Sequence, residues 1–207
     1  MSLLDARLPG LDVSRETQER LHHFASMLEK WSPKINLVAK STLADGWNRH
    51  IIDSAQVFEL RNKDEGLWAD LGAGGGFPGL VVAILAHELA PDLKVALVES
   101  DQRKAVFLRS VLRETGVSAD VKVARIEQLD PLGADILSAR ALADLPKLLT
   151  FAKRHLASYG QGVFLKGATW HDEVAEARKS WNFDVVQRTS ITDPNAVVLT
   201  IGELTHV

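Results

Sequence analysis

Leu21, Phe24, Ala25 and Leu28 recur at i, i+3, i+4 and i+7, the spacing of one buried helix face. Ser14 stands where an N-cap belongs, and Pro33 reads as the residue just past the helix end. A second stripe, Leu43, Trp47, Ile51, Ala55 and Phe58, keeps a near-fourfold spacing and predicts a second helix. From Gly66 onward the pattern changes to short apolar runs alternating with amphipathic stretches, which predicts parallel strands joined by helices. The predicted strands are 66–71, 94–99, 121–124, 135–138, 162–166, 183–189 and 196–202. Helical patterns fill the gaps after the first, second, fourth and fifth, most clearly over 103–114, where Phe107, Leu108, Val111 and Leu112 share a face. Asp193, Pro194 and Asn195 leave only a turn between the last two strands, which should therefore pair antiparallel. The expected fold class is α/β, a doubly wound and mostly parallel seven-stranded sheet whose last strand is antiparallel. A helical extension over 1–64 is expected to precede a Rossmann-like domain over 65–207.

Composition narrows the class further. The 207 residues, 46% apolar and 25% charged, suffice for a buried core. No apolar run approaches the roughly 18 residues a membrane helix needs, so no membrane association is expected. Asp5 and Arg7 stand where a secretory signal would carry a basic end followed by an apolar block. The lack of cysteine removes disulfides, thiolate metal sites and cysteine nucleophiles, and a cytoplasmic protein is the expectation. A formal net charge of -3 gives no global pull toward nucleic acid, so any polyanion must be met by a local patch.

The stretch 70–79 reads Asp-Leu-Gly-Ala-Gly-Gly-Gly-Phe-Pro-Gly and falls between a predicted strand and a predicted helix. Glycines let the chain turn sharply and approach a ligand, and the helix that follows offers unpaired N–H groups. Gly74, Gly76 and Gly79 match the G-x-G-x-x-G spacing of dinucleotide sites, a weak signal by itself. Asp70, two residues before Gly72, puts a carboxylate at the strand tip, which suits a cationic ligand and disfavours a pyrophosphate. S-adenosylmethionine, with its ammonium and sulfonium, is such a ligand. Glu99, at the tip of the second predicted strand, is placed for ribose hydroxyls in either kind of cofactor. A nicotinamide oxidoreductase is the rival reading, although lone Tyr159 lacks a lysine four residues on for a hydride relay.

Several separate motifs then resemble one family. They are Lys30-Trp31 with Asn36-Leu37, the run 49–54 (Arg-His-Ile-Ile-Asp-Ser), the loop 70–79, and Glu99-Ser100 followed by Arg103-Lys104 and Phe107-Leu108. Arg125-Ile126-Glu127, Ser138-Ala139-Arg140-Ala141 and Leu165-Lys166-Gly167 follow in order. From about Phe24 to the last strand the chain is similar to the bacterial small-subunit ribosomal RNA guanine-N7 methyltransferases, also called the glucose-inhibited division protein B family. The resemblance implies a class I adenosylmethionine-dependent methyltransferase fold and methyl transfer to N7 of a guanine in 16S ribosomal RNA. It implies cofactor contacts at Gly72, Phe77, Ile126, Glu127 and Arg140, with Glu99 on the ribose. Asp70, Gly74 and Gly76 complete the expected cofactor set from the loop itself. The family tends to end in a basic strand and tail, whereas 195–207 carries Glu203 and no Lys or Arg.

Guanine N7 has a free lone pair at neutral pH, so the implied reaction calls for positioning and no general base. Arg140 and Lys166, at predicted strand ends on the ligand edge, are the expected positioning residues. Lys147, Lys153 and Arg154 read equally well as RNA contacts or as a solvated helix face. His50 and Asp53 share a helix face and suit either substrate contact or the bracing of a domain junction. Trp31 and Trp47 read as core, His22 and His23 as surface, and no metal site is expected. The expected partner is 16S ribosomal RNA or the small ribosomal subunit, met by a monomer. A catalytically silent RNA-binding or ribosome-assembly module remains the second alternative.

Overall fold

The structure, a computed structural model, describes residues 8–39, 42 and 45–207. Helix α1 (Arg15–Ile35) is followed by a π-wound segment (Trp47–Ile52) that runs directly into α2 (Asp53–Phe58). The remainder alternates as β1 (Glu65–Leu71), α3 (Gly79–Leu89), β2 (Asp92–Glu99), α4 (Gln102–Thr115), β3 (Asp120–Val123), β4 (Ala134–Arg140), α5 (Leu145–His155), β5 (Leu156–Lys166), α6 (Trp170–Ala177), β6 (Trp181–Thr189) and β7 (Val197–His206). A short 3-10 turn (Ile126–Gln128) follows β3. The seven strands form one sheet in the order β3-β2-β1-β4-β5-β7-β6. β7 lies antiparallel to both β5 and β6, and the other pairings are parallel.

The central strands are mostly apolar because both faces of the sheet are covered, with Asp70 and Ser138 as buried polar exceptions. Consecutive residues divide between two cores. Ile136, Val163 and Val198 join the core beneath α1, α3 and α4, whereas Leu137, Phe164 and Leu199 join the one beneath α5. α3 is apolar all round and buried from Gly79 to Ala86, as a helix squeezed between other elements must be, and only its last turn, with His87 and Glu88, reaches solvent. α4 is amphipathic, opened by Asp101, which accepts from the Arg103 and Lys104 N–H groups, and closed by Gly116 at φ 68°. Leu21, Phe24, Met27 and Leu28 of α1 enter the same core as Phe107 and Leu80, so the N-terminal helices share their interior with the sheet. No helix among the described residues is long and apolar enough to cross a membrane.

Two expectations need correction. Pro33 lies inside the last turn of α1, which runs on to Ile35 and ends at Asn36 in the left-handed region, φ 50°. The i→i−4 acceptor that proline leaves without a donor belongs to exposed Glu29, where water can serve, and the Asn36 N–H bonds Ser32 O to close the helix. The second stripe does not form one α-helix. A spacing of four exceeds the ~3.6 residues of an α-turn, and the wider winding over Trp47–Ile52 keeps Ile51 aligned with Ala55 and Phe58, all buried. Leu43 lies outside the described residues. The sequence-predicted strand edges hold to within two residues except at the start of β5 and the end of β7.

Candidate active site

The strand order reverses between β1 and β4, and the carboxyl ends of these strands with β2 and β5 form the crevice where open α/β sheets take ligands. The loop from Gly72 to Pro78 crosses its floor. Gly72 and Gly74 hold φ of 66° and 52°, a region that costs any side chain bearing a Cβ. A Cβ built at Gly72 would meet Leu142 Cδ1 at 2.7 Å. Gly76 turns the other way, its missing side chain facing Leu80 and Phe24 in the core.

Asp70 does not face the crevice as its strand-tip position suggested. It is fully buried, with Oδ1 accepting from the Ser138 hydroxyl at 2.7 Å and Oδ2 from the Gly79 N–H at 3.0 Å. The Ser138 hydroxyl oxygen in turn accepts from the Trp68 indole N–H at 2.8 Å. Asp70 thus ties the start of α3 to the ends of β1 and β4, and Gly79 is glycine because a Cβ would come within 2.6 Å of Asp70 Oδ2. Burial pushes the carboxyl up to about 7, against the opposing pull of its two donors. A raised carboxyl pKa favours the folded state where the group is protonated. Its stabilisation is complete below the unfolded value near 4, declines as pH rises, and is gone above about 7. Chemical denaturation should show wild type losing about 2 kcal/mol relative to Asp70→Asn between pH 5 and 7.5. Parallel profiles would show that Asp70 does not titrate in this range.

Two cavities adjoin over the loop. The first, about 460 Å³, is lined by Glu99, Ile126, Glu127 and Phe151 among others. Glu99 is 7% exposed, with Oε2 accepting from the Gly74 N–H at 2.8 Å and Oε1 from the Asp101 N–H at 2.7 Å. Each oxygen keeps a lone pair for a hydroxyl donor. Ile126 opens the 3-10 turn, and its carbonyl accepts from Nε2 of buried His155 at 3.0 Å. Burial lowers the His155 pKa and keeps the ring neutral. Glu127 is exposed, 3.7 Å from Lys147 Nζ.

The second cavity, about 580 Å³, is lined by Phe77, His50, Asp53, Arg140, Lys166 and Asp193 among others. Gly72, Gly74, Lys104 and Ala141 line both cavities and mark where they meet. Arg140 is its structural centre. One guanidinium nitrogen donates to Arg49 O at 3.1 Å and pairs with Asp53 at 3.4 Å, the other donates to His50 Nδ1 at 3.1 Å, and the group lies 4.7 Å over the Phe77 ring. Because Nδ1 accepts, the His50 proton resides on Nε2, which donates to the Thr42 hydroxyl at 2.9 Å. Thr42 passes its own proton toward Ala39 O at 2.7 Å. Burial, then the charges of Arg140 and Arg49, lower the His50 pKa to about 4, so the ring is neutral at pH 7.

Asp53 is the member of this group whose importance the sequence understated. Its Oδ1 accepts from Gln56, Ser190 and Thr192, joining α2 to the loop between β6 and β7 while Oδ2 faces Arg140. Those partners lie up to 139 residues away, so no local pattern announces them. Lys166 is nearly buried, donates to Ala143 O at 2.9 Å and pairs with Glu173, which ties it to α6 as well as to the cavity wall. Lys153 and Arg154 donate to Leu204 O and Leu129 O and brace backbone, while Lys147 lies 4.7 Å from the Phe151 ring. His22, expected at the surface, is half-buried and stacked at 4.1 Å on Trp47, and His23 bonds Glu114. No cluster of three or more His, Cys, Asp or Glu side chains among the described residues could hold a metal.

The first cavity offers a glycine-lined floor that a Cβ would fill, a carboxylate for hydroxyl donors and an apolar wall, the chemistry an adenosyl group requires. The profile of the family described as GidB, rRNA small subunit methyltransferase G, matches residues 17–198. The chain is 58% identical over 198 residues to the ribosomal RNA small subunit methyltransferase G of Ruegeria pomeroyi, covering 95% of this chain and 96% of that one. It is 50% identical over 200 residues to the protein of the same name from Cereibacter sphaeroides, covering 97% of each. In fold it is similar to a TehB-like SAM-dependent methyltransferase from Corynebacterium glutamicum, with TM-score 0.58, 14% identity, and 88% and 98% of the two chains covered. M. jannaschii TYW2 in complex with AdoMet shares the fold at TM-score 0.56 and 12% identity, covering 75% of this chain and 76% of that one. With the profile matched over most of its length and half or more of its residues shared with these relatives, the chain belongs to the rRNA small subunit methyltransferase G family.

Proposed function

We propose that the protein methylates N7 of a specific guanine in 16S ribosomal RNA, with the first cavity taking S-adenosylmethionine and the second the acceptor base. The observation that carries this reading is the meeting of two cavities over Gly72 and Gly74, at the carboxyl edge of the sheet, in a chain of this family. The cofactor supplies a methyl group made electrophilic by its sulfonium. Glu99 holds the ribose hydroxyls, Ile126 lies against the adenine with Glu127 at its edge, and Gly72, Gly74, Phe77 and Arg140 form the floor and wall toward the methyl-bearing end. Gly76 and Asp70 act from below by fixing the loop and the start of α3. The N7 lone pair forms the new N–C bond as the S–C bond breaks, and the positive charge passes from sulfur to the purine. No proton needs removal for that step, so the residues work by alignment, which can supply about 7 to 11 kcal/mol. Leu37, Thr42, His50 and Asp53 of the N-terminal extension form the outer wall of the acceptor cavity, and 65–207 is the methyltransferase domain proper. We place the protein in the cytoplasm as a monomer acting on ribosomal RNA or the small subunit. Membership of a family named for this methyltransferase disfavours both the silent assembly module and the nicotinamide enzyme.

The test is transfer of labelled methyl from S-adenosylmethionine to small subunits from cells lacking the protein, with the product mapped by mass spectrometry. One 7-methylguanine in 16S RNA is expected. Tight cofactor binding without transfer to RNA would refute the acceptor.

A further inference from the structure

The floor of the second cavity is electrically settled: Arg140 is paired with Asp53 and Lys166 with Glu173. Three charged side chains in its lining have no ion-pair partner among the described residues: Arg49, exposed beside His50, and Lys104 and Asp193. Lys104, in the first turn of α4, lines both cavities, and its Nζ has no partner among the described residues. Asp193, in the turn between β6 and β7, lines the second cavity alone. Its Oδ1 accepts from the Asn195 N–H at 2.9 Å, which fixes the carboxylate, and Oδ2 has no partner among the described residues. Going from the junction into the second cavity, Lys104 therefore precedes Asp193.

That order matches one purine. Around guanine, starting from N7, come the O6 acceptor and then the N1–H and N2–H donors. With N7 at the junction, the Lys104 cation there meets O6 and the Asp193 carboxylate in the second cavity meets N1–H and N2–H. Adenine reverses both contacts, presenting an amino donor in place of O6 and a lone pair in place of N1–H. We infer that Lys104 and Asp193 are the specificity-determining residues that select guanine, Lys104 by donating to O6 and Asp193 by accepting from N1–H and N2–H. This inference rests on the function proposed above and adds the base-reading residues to it. A site that pairs a substrate's polar groups rejects analogues lacking them, because the half-buried Lys104 and Asp193 would be covered by the base and left unpaired.

Asp193→Asn keeps an oxygen for the Asn195 N–H and turns an amide donor toward the guanine donors. The experiment measures kcat/KM on small subunits reconstituted with the mapped target nucleotide as guanine or as inosine, which lacks only the N2 amino group. Wild type is expected to prefer guanine by about tenfold, and Asp193→Asn to lose about 10- to 100-fold on guanine and to bring the two substrates close to parity. Lys104→Met is expected to lose about tenfold on guanine with an unchanged Kd for S-adenosylhomocysteine. A wild-type preference for guanine that survives intact in Asp193→Asn overturns the assignment of Asp193. A weakened S-adenosylhomocysteine Kd in Lys104→Met moves that lysine to the cofactor and overturns its role at O6. No transfer by wild type to the guanine-bearing subunit overturns the proposed function and this inference together.

Discussion

Replacing Gly74 by Asp is expected to abolish methyl transfer, by more than about 100-fold in kcat/KM, while leaving the fold in place. The two halves of that expectation have separate causes. Gly74 holds φ 52°, and Asp is among the residues that enter the left-handed region most readily. A Cβ there would find Gly72 O at 3.6 Å as its nearest neighbour in space, an ordinary contact, so the backbone has room. Function has no such tolerance. Gly74 lines both cavities at their meeting point, and its N–H binds Glu99 Oε2, so a new carboxylate would occupy the junction and repel Glu99. A cooperative thermal transition with Tm lowered by only about 2 to 8 °C, and cofactor binding lost in calorimetry, is the expected pair of results. A variant that binds S-adenosylmethionine as wild type does would place the cofactor elsewhere. Gly79→Ala provides the contrast: its Cβ would lie 2.4 Å from Leu97 Cδ2 and 2.6 Å from Asp70 Oδ2, so there the loss is one of stability.

The fold was legible where local pattern and tertiary demand agree. The switch from helical spacing to short apolar runs at Gly66 marks the first strand to within one residue, and the turn at Asp193-Pro194-Asn195 foretells the antiparallel pairing of β6 and β7. The insertion of β7 between β5 and β6 is what makes it antiparallel to both. Pattern failed where tertiary context overrides it. Ser158, Gly160 and Gln161 carry no strand signal, yet β5 begins at Leu156, because its early residues are held by β4 across an irregular register. The π-winding after Gly46 answers a fourfold apolar repeat that reads, letter by letter, as an ordinary helix.

Of the residues expected at the site from pattern or resemblance, Gly72, Gly74, Phe77, Glu99, Ile126, Glu127, Arg140 and Lys166 line the two cavities. Asp70 was placed correctly on its strand and aimed wrongly. Side chains alternate along β1, and Trp68, two residues earlier, enters the core beneath α3, so parity alone would have turned Asp70 toward the start of that helix. Gly76 likewise serves the core, and its φ of 94° gives the loop its shape. The network around Asp53 was beyond reach, since Arg140, Ser190 and Thr192 reach it from distant elements that only the folded sheet brings together.

Arg140→Met is expected to cost about 3 kcal/mol of stability and to lower Tm by about 6 to 12 °C, with methyl transfer reduced at least about 100-fold. Methionine keeps much of the side-chain volume, so packing is not the main loss. Three acceptors are stranded instead: the Asp53 carboxylate, His50 Nδ1 and Arg49 O, in a setting where the Arg140 and Asp53 side chains are each only 17% exposed. Losing one partner of such a pair leaves the other charge desolvated, which is more costly than never having formed the pair. Asp53→Asn in the same chain removes that orphaned charge, so the double variant should recover about 1 to 2 kcal/mol relative to the sum of the single changes. Arg140→Lys should fall between, since an ammonium can meet Asp53 but cannot span His50 and Arg49 O with a planar fork. The activity loss follows from the same contacts, because they seat the segment bearing His50 and Asp53 against β4 and thereby form one wall of the acceptor cavity. Urea denaturation of the four proteins measures the coupling, and methyl transfer measured beside it reads the wall. Additive losses would mean that the apolar face of α1 and α2, and not the Arg140 network, holds that wall in place.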